Sequence, residues 1–198
     1  GEFWGVGQVM ELMDGTWRKA QGVDNWALYK GDAGALATAS TPAALQARMS
    51  RGCSQCALEP QLDKKTREDE DFTDVWELTQ AVDAPYTPAQ RAWMFKNLNI
   101  PELVNYMAIN TTLRHQDSNW KNWYIVRDTE GTGRWEMWHW DLNWIFTTDA
   151  EDHKGEFLSP AGSNRLLSAL MADPEIKQMF YRRLRTLADR FLVPGGYE

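Results

Sequence analysis

Hydrophobic and polar residues alternate most clearly in two short stretches, NWYIVRD (122–128) and RWEMWHWD (134–141). This period of two is typical of β-strands, and the connecting residues, TEGTG, suit a turn. On the second stretch, one face is predicted to carry Trp135, Met137 and His139, and the other Glu136, Trp138 and Trp140. The pattern therefore predicts a central β-hairpin.

The first part of the chain is also predicted to be rich in β-structure. Residues 2–13 are apolar at nearly alternate positions and indicate a strand, whereas residues 17–21 suit one helical turn. Residues 26–30 indicate a short strand that ends at the glycine-containing residues 31–34.

Helical periodicity dominates elsewhere, with capping residues or proline at the predicted starts. The predicted helices span residues 73–82, 88–98, 101–113, 163–171 and 174–191, and a short helix at 42–49 lies in a loop from 35 to 59. The first three are expected to pack together. The predicted fold class is α+β with a two-lobed character: a β-rich N-terminal part and a helical C-terminal part that contains the hairpin.

Composition narrows the possible functions. The 198 residues suit one domain, and 28 acidic against 21 basic residues give a net charge of -7 without a basic block. A nucleic-acid partner is therefore not expected. No run of 18 apolar residues predicts a membrane span and no signal peptide opens the chain, although its first residues resemble the middle of a sheet.

Two further features leave alternatives open. Cys53 and Cys56 form a Cys-Ser-Gln-Cys motif, which is compatible with a local disulfide, two inert thiols, or a metal or redox role. The stretch from 62 to 74 is dense in charge, for which a solvated loop is the simplest interpretation.

Candidate chemistry lies beside the predicted hairpin. Asp117 is followed five positions later by Asn122, and Asp141 follows the second strand. Protein kinases supply a catalytic base and two metal ligands in this order. In the alternative interpretation, Asp117 is a cap or turn residue and Asp141 forms a salt bridge with Arg114 or Arg134.

Other residues fit a phosphate site less specifically. Lys30 and Glu11 lie at the ends of predicted strands and suit a carboxylate-fixed cation for phosphates, but a surface lysine and a surface glutamate are the default interpretation. No Gly-x-Gly-x-x-Gly loop precedes them, and no serine, cysteine or histidine catalytic motif occurs. Because the chain contains 11 tryptophans, a glycosidase pair of Asp117 with Asp141, or carbohydrate binding, remains an alternative.

Several motifs together resemble the CotH kinase family, the spore coat protein H type of atypical kinase, over almost the whole chain. GEFWG with ELMD (residues 1–14) is similar to NGEYWG...EQID, and LYKGD (28–32) matches the family's LYKGD. KKTREDED (64–71) is similar to KKTNEDED, and WDLN (140–143) to WDLD. Residues 117–128 and 166–180 resemble the D-x-x-x-x-N-x-Y-L-Y-x-D and LL-x-x-L-x-x-P-E-F-x-x-x-F patterns.

The resemblance implies a divergent protein-kinase-like fold that uses ATP and Mg²⁺ to phosphorylate Ser or Thr of coat, secreted or surface proteins. Matched by position, Asp117 is the catalytic-loop aspartate and Asn122 and Asp141 are the metal ligands. Glu11 and Lys30 belong to the nucleotide side. A secreted, cell-surface or spore-coat location follows, and the acidic stretch at 64–71 becomes more than a solvated loop.

The chain departs from the family in two ways. Asn143 stands where members usually carry a second Asp, and the preceding R-G-N-S and K-K-P-Y-R-L motifs are absent. Residues 1–198 are therefore expected to be one CotH kinase-like domain, the C-terminal two-thirds of a larger one, with a separate N-terminal fragment as a possible partner. A catalytically inactive structural or adhesive module with the same fold is the alternative function.

Overall fold

The computed structural model describes residues 12–33, 36, 39–49, 61–115, 118, 121–146 and 164–193. The helices are α1 (Gly15–Gln21), α2 (Pro42–Met49), α3 (Thr73–Asp83), α4 (Pro88–Asn97), α5 (Ile100–Leu113), α6 (Arg165–Ala172) and α7 (Pro174–Phe191). The strands are β1 (Ala27–Ala33), β2 (Gln61–Lys64), β3 (Trp123–Arg127) and β4 (Trp135–His139). The predicted α+β class is confirmed. The Cys53–Cys56 motif and residues 2–11 of the strand predicted at 2–13 lie outside the described residues, and residues 12 and 13 belong to no strand.

The four strands form one antiparallel sheet in the order β2-β1-β3-β4. One face packs on the helices and forms the main core, to which Tyr29, Ile125 and Met137 contribute. The opposite face carries a second apolar cluster built on Leu28, Tyr124 and Val126, and tryptophans from the hairpin and from the residue preceding β1 pack against it. The predicted division of the hairpin into two faces is confirmed.

Helix α5 connects the helical part of the fold to the hairpin of β3 and β4. It packs chiefly on α7 and β4, whereas α3 contacts α4 and α6, so the predicted grouping of α3, α4 and α5 is only partly correct. The Asn99 backbone amide, just before α5, donates to the Trp135 carbonyl at 2.8 Å. The start of α5 is therefore bonded to β4 of the hairpin, against which the helix also packs.

Two predicted boundaries are wrong, and both lie in the sheet. Strand β1 does not stop at Gly31 but continues to Ala33, because Gly31 pairs with Trp123 in β3 and leaves room for its indole. The start of the charge-dense stretch is not a solvated loop, because Gln61–Lys64 is the edge strand β2.

Lys64 explains how a charged sequence is accommodated in the sheet. Its ammonium group donates to the carbonyls of Glu70 and Asp71 at 3.0 and 2.7 Å. The same group lies 5.5 Å from the ring centroid of Tyr29 and 5.3 Å from that of Phe72. The side chain is thus buried with its charge compensated, and it connects β2 to the acidic turn before α3.

Asp173 organises the junction of α6, α7 and α4. Its fully buried carboxylate accepts hydrogen bonds from the amides of Glu175 and Ile176 at the start of α7 and from the Tyr86 hydroxyl, and it pairs with Arg91 at 3.1 Å. Burial alone raises the pKa of this carboxyl, but the hydrogen bonds and the arginine outweigh burial and lower the pKa below its ordinary value.

Replacing Asp173 with alanine is expected to lower the free energy of unfolding by about 2 kcal/mol at pH 7, because the helix cap and one of the two carboxylates that pair with Arg91 are lost together. Because the pKa is lower in the folded state, the Asp173 carboxylate stabilises the fold fully at pH values above the unfolded-state pKa of about 3.9. This stabilisation is lost as the pH falls through the folded-state pKa. The difference between wild type and variant, measured by urea unfolding, should therefore shrink below about pH 4. The control is Asp83→Ala, which removes a carboxylate from an exposed ion pair with Arg165. If Asp83→Ala lowered the free energy of unfolding as much as Asp173→Ala, the stabilising role of the buried Asp173 carboxylate would be contradicted.

Candidate functional site

The hairpin brings Asn122 and Asp141 to the same end of the sheet. Asn122 directly precedes β3 and Asp141 follows β4 by two residues, while the register pairs Trp123 with His139. The Trp140 backbone amide donates to the Asn122 carbonyl at 3.1 Å. The residue before Asp141 is therefore bonded directly to Asn122.

Both residues have left-handed backbone conformations, with φ of 60° at Asn122 and 51° at Asp141. Asn and Asp adopt this conformation more readily than other residues with side chains. The chain therefore turns sharply as it enters β3 and after it leaves β4, and the two polar side chains lie outside the regular strands. Backbone geometry, as well as chemistry, favours Asn and Asp here.

The far end of the hairpin fixes its register. The Asp128 carboxylate accepts hydrogen bonds from the amides of Glu130, Gly131 and Thr132 and from the Thr132 hydroxyl. Burial raises the pKa of this carboxyl, but the hydrogen bonds together outweigh burial and lower the pKa below its ordinary value. Because a slip of one residue would exchange the two faces, this closed turn helps to keep Asn122 opposite Trp140, the residue before Asp141.

Lys30 lies on the neighbouring strand, on the face of the second apolar cluster. It pairs with Tyr124 of β3, and its ammonium nitrogen is 5.8 Å from the ring centroid of Trp140. Trp140 in turn meets Tyr124 edge to face, with ring centroids 5.5 Å apart. A cation thus contacts the ring of the residue directly before Asp141.

The C-terminal end of α5 forms the other side of this region. Arg114 ends the helix in the left-handed conformation with φ of 53°, and the His115 amide donates to the Asn110 carbonyl. The side chains of Asn110 and His115 are also 3.1 Å apart, and the Ser118 hydroxyl donates to the His115 carbonyl. His115 is therefore bonded to the end of α5, and Ser118 is bonded to His115.

Tyr106 and His139 join the two sides. The rings stack with centroids 4.6 Å apart, and the Tyr106 hydroxyl donates to the Ser118 carbonyl at 3.1 Å. Burial, followed by the nearby His115, lowers the pKa of His139 to about 4, against a smaller opposing effect of a hydrogen bond with the Tyr106 backbone. His139 is therefore neutral near pH 7, which suits its position in an apolar stack.

Of the five predicted site residues, the structure places Asn122 and Asp141 at the same end of the hairpin, and Lys30 lies beside the ring of Trp140, the residue before Asp141. Asp117 and Glu11 lie outside the described residues, so their predicted roles remain predictions. Among the described residues, neither Arg114 nor Arg134 forms an ion pair with the half-buried Asp141, which weighs against the salt-bridge alternative. No cluster of three or more His, Cys, Asp or Glu side chains that could hold a metal occurs in that part of the chain.

The residues after Asp141 return to α5. Asn143 is exposed, and the Phe146 amide donates to the Leu113 carbonyl at 2.8 Å. Phe146 and Trp144 are both large exposed hydrophobic residues. Of the tryptophans in the described ranges, Trp144 is the exposed one. Within those ranges, one indole is therefore accessible for stacking on a carbohydrate.

Sequence reasoning missed Tyr106 and His139 as site residues. Two sequence patterns place their side chains. Helical spacing directs Tyr106 into the core, and strand alternation assigns His139 to the same face as Trp135 and Met137. Neither pattern identifies the two residues as partners, because their contact depends on the packing of α5 against β4.

The fold and the described part of the site define an α+β protein in which the two ends of one hairpin bring Asn122 and Asp141 to the same edge of the sheet, next to the C-terminal end of α5. The CotH kinase protein family matches residues 1–196, and the chain therefore belongs to this family. No curated protein matches the sequence. No helix within the described ranges is long and apolar enough to cross a membrane.

Proposed function

We propose that this protein is an ATP-dependent protein kinase that transfers phosphate to Ser or Thr of secreted, coat or surface proteins. Membership of the CotH kinase family suggests kinase activity in general. The observation that supports this chain's own participation most directly is the hydrogen bond between Trp140 and Asn122, which holds Asn122 beside the residue preceding Asp141.

The proposed metal ligands fit Mg²⁺ chemically. Asp141 offers carboxylate oxygens and Asn122 an amide oxygen, and oxygen donors of this kind are the ones magnesium prefers. When bound, Mg²⁺ supplies charge neutralisation at the phosphates of ATP. Asn122 and Asp141 would hold the metal ion, while Lys30 would supply a positive charge on the nucleotide side and Glu11 would fix it.

Asp117 is assigned to the acceptor hydroxyl. It orients the Ser or Thr hydroxyl and accepts its proton as the hydroxyl oxygen forms a bond to the γ-phosphorus, while the bond from that phosphorus to the ADP oxygen breaks. Positioning and charge neutralisation account for most of the rate in such transfers. This assignment is supported by sequence position and by the hydrogen bonds that join the nearby residues His115 and Ser118 to Asn110 and Tyr106 of α5.

Incubation with labelled ATP, magnesium and casein as an acceptor protein should give labelled phosphoserine or phosphothreonine. Mg-ATP at 100 times its Kd should also raise the melting temperature by about 5–10 °C, because a ligand bound only by the folded state adds about 2.7 kcal/mol. ATP with a chelator instead of magnesium is the control. If wild type gives no phosphate transfer and no magnesium-dependent rise in melting temperature, the proposal is contradicted.

The second candidate function is a catalytically inactive structural or adhesive module with the same fold. It is favoured by Asn143, which carries an amide where the family usually has an acid and so lowers the negative charge beside Asp141 by one. A magnesium-dependent thermal shift without phosphate transfer would indicate a nucleotide-binding but inactive protein. Absence of both would favour the structural module.

A further inference from the structure

Tyr106 contacts both segments that carry the proposed catalytic and metal-binding acids. Its hydroxyl donates to the carbonyl of Ser118, the residue after Asp117. Its ring stacks on His139, two residues before Asp141, at 4.6 Å between centroids and an angle of 30° between planes. One side chain on α5 thus bridges two segments that approach the site from different elements.

The burial of these groups makes the bridge energetically significant. Tyr106 is 1% exposed and Ser118 is 3% exposed. A buried carbonyl that loses its donor is not compensated by bulk water, so the hydrogen bond constrains the Ser118 backbone more strongly than an exposed one would. The stack constrains the His139 ring, because the neighbouring core is closely packed.

Two nearby hydrogen bonds each hold one side of this region. The Ser118 hydroxyl donates to the His115 carbonyl, which fixes the segment after α5 to itself. The Trp140 amide donates to the Asn122 carbonyl, which fixes the two ends of the hairpin to each other. Tyr106 differs because it links the segment after α5 to strand β4.

We infer that Tyr106 is a positioning residue that fixes Ser118, which follows Asp117 in the sequence, relative to the end of β4, which leads to Asp141. This role rests on the proposed kinase function. In phosphoryl transfer, the acceptor hydroxyl and the metal-bound phosphate must be held in line, and displacement of either by about 1 Å is enough to reduce the rate by about 100-fold. Tyr106 touches neither reactant, and it acts through Ser118 and His139.

The informative variant is Tyr106→Phe, which removes the hydroxyl and retains the ring that stacks on His139. It should lower kcat for phosphate transfer to casein by about 3- to 10-fold, the effect of one hydrogen bond, with KM for ATP unchanged. The melting temperature should fall no further than in the control Tyr29→Phe. Tyr29 is also fully buried, and its hydroxyl bonds to Asp74 at 2.6 Å, away from the site.

Amide hydrogen exchange tests the same role without requiring activity. Tyr106→Phe should accelerate exchange in residues 115–122, whereas Tyr29→Phe should not. Equal kcat in wild type and Tyr106→Phe, or the same decrease in both variants, would overturn the inference. If wild type transfers no phosphate, the proposed function fails, and hydrogen exchange alone tests the link that Tyr106 makes between Ser118 and β4. Unchanged protection of residues 115–122 in Tyr106→Phe overturns this link, and lost protection supports it.

Discussion

Phosphate transfer should fall by about 100-fold or more when Asp141 is replaced with asparagine, because the proposed metal site loses its fully charged ligand. Asparagine is the informative substitution, since it also tolerates the left-handed φ of 51° at this position. Loss of the carboxylate is thereby separated from distortion of the backbone. Initial rates with labelled ATP and casein, measured across a range of magnesium concentrations, give the comparison.

The matched control for Asp141→Asn is Asp189→Asn, which removes the same charge from an exposed ion pair with Arg185 on α7. This pair contributes little stability, so the control should transfer phosphate at the wild-type rate. Equal rates for wild type and Asp141→Asn would remove Asp141 from the metal site. A melting temperature that fell sharply in Asp141→Asn would instead identify a structural role.

Replacing Gly31 with valine should lower the free energy of unfolding by about 3 kcal/mol or more, the largest stability effect expected in the sheet. A Cβ at this position would lie 2.5 to 2.6 Å from three ring atoms of Trp123. The indole is 1% exposed and has no space into which to move. Thermal and urea unfolding measure the loss, expected as a decrease of about 6–12 °C in melting temperature.

Gly15→Ala is the control for backbone entropy, because a Cβ there meets nothing closer than the Arg18 guanidinium at 3.8 Å. It should be neutral or slightly stabilising. Combining Gly31→Val with Trp123→Leu should cost less than the sum of the two single variants, since the smaller side chain relieves the clash. Additive losses would mean that contact with the indole is not the cause.

The hairpin was predictable from the sequence because each local signal agreed. Alternating aromatic residues, the glycine-containing turn and Asp128 at its start all favour the same register, and the observed strands Trp123–Arg127 and Trp135–His139 lie within the predicted stretches. The starts of α4 and α7 were also correct, because Thr87 and Asp173 cap helices that have proline at the first turn.

The errors arose where long-range contacts override local preference. Gly31 resembles a strand end until Trp123 packs against it from the next strand, and the sequence does not specify that contact. Lys64 suggests a solvated segment until Tyr29 and Phe72 place aromatic rings beside its charge. Tyr106 and His139 each have a predictable face, but the distance between them depends on how α5 lies against β4.

The order of elements along the chain gives the parts of the site different folding requirements. Asn122 and Asp141 flank one hairpin whose turn is closed locally by Asp128, so their approach requires closure of only a short loop. Lys30 reaches the Trp140 ring only when β1 pairs with β3, a contact between residues far apart in sequence that carries a larger entropic cost. Local opening of β1 would therefore withdraw the lysine while the hairpin still held Asn122 and Asp141 together.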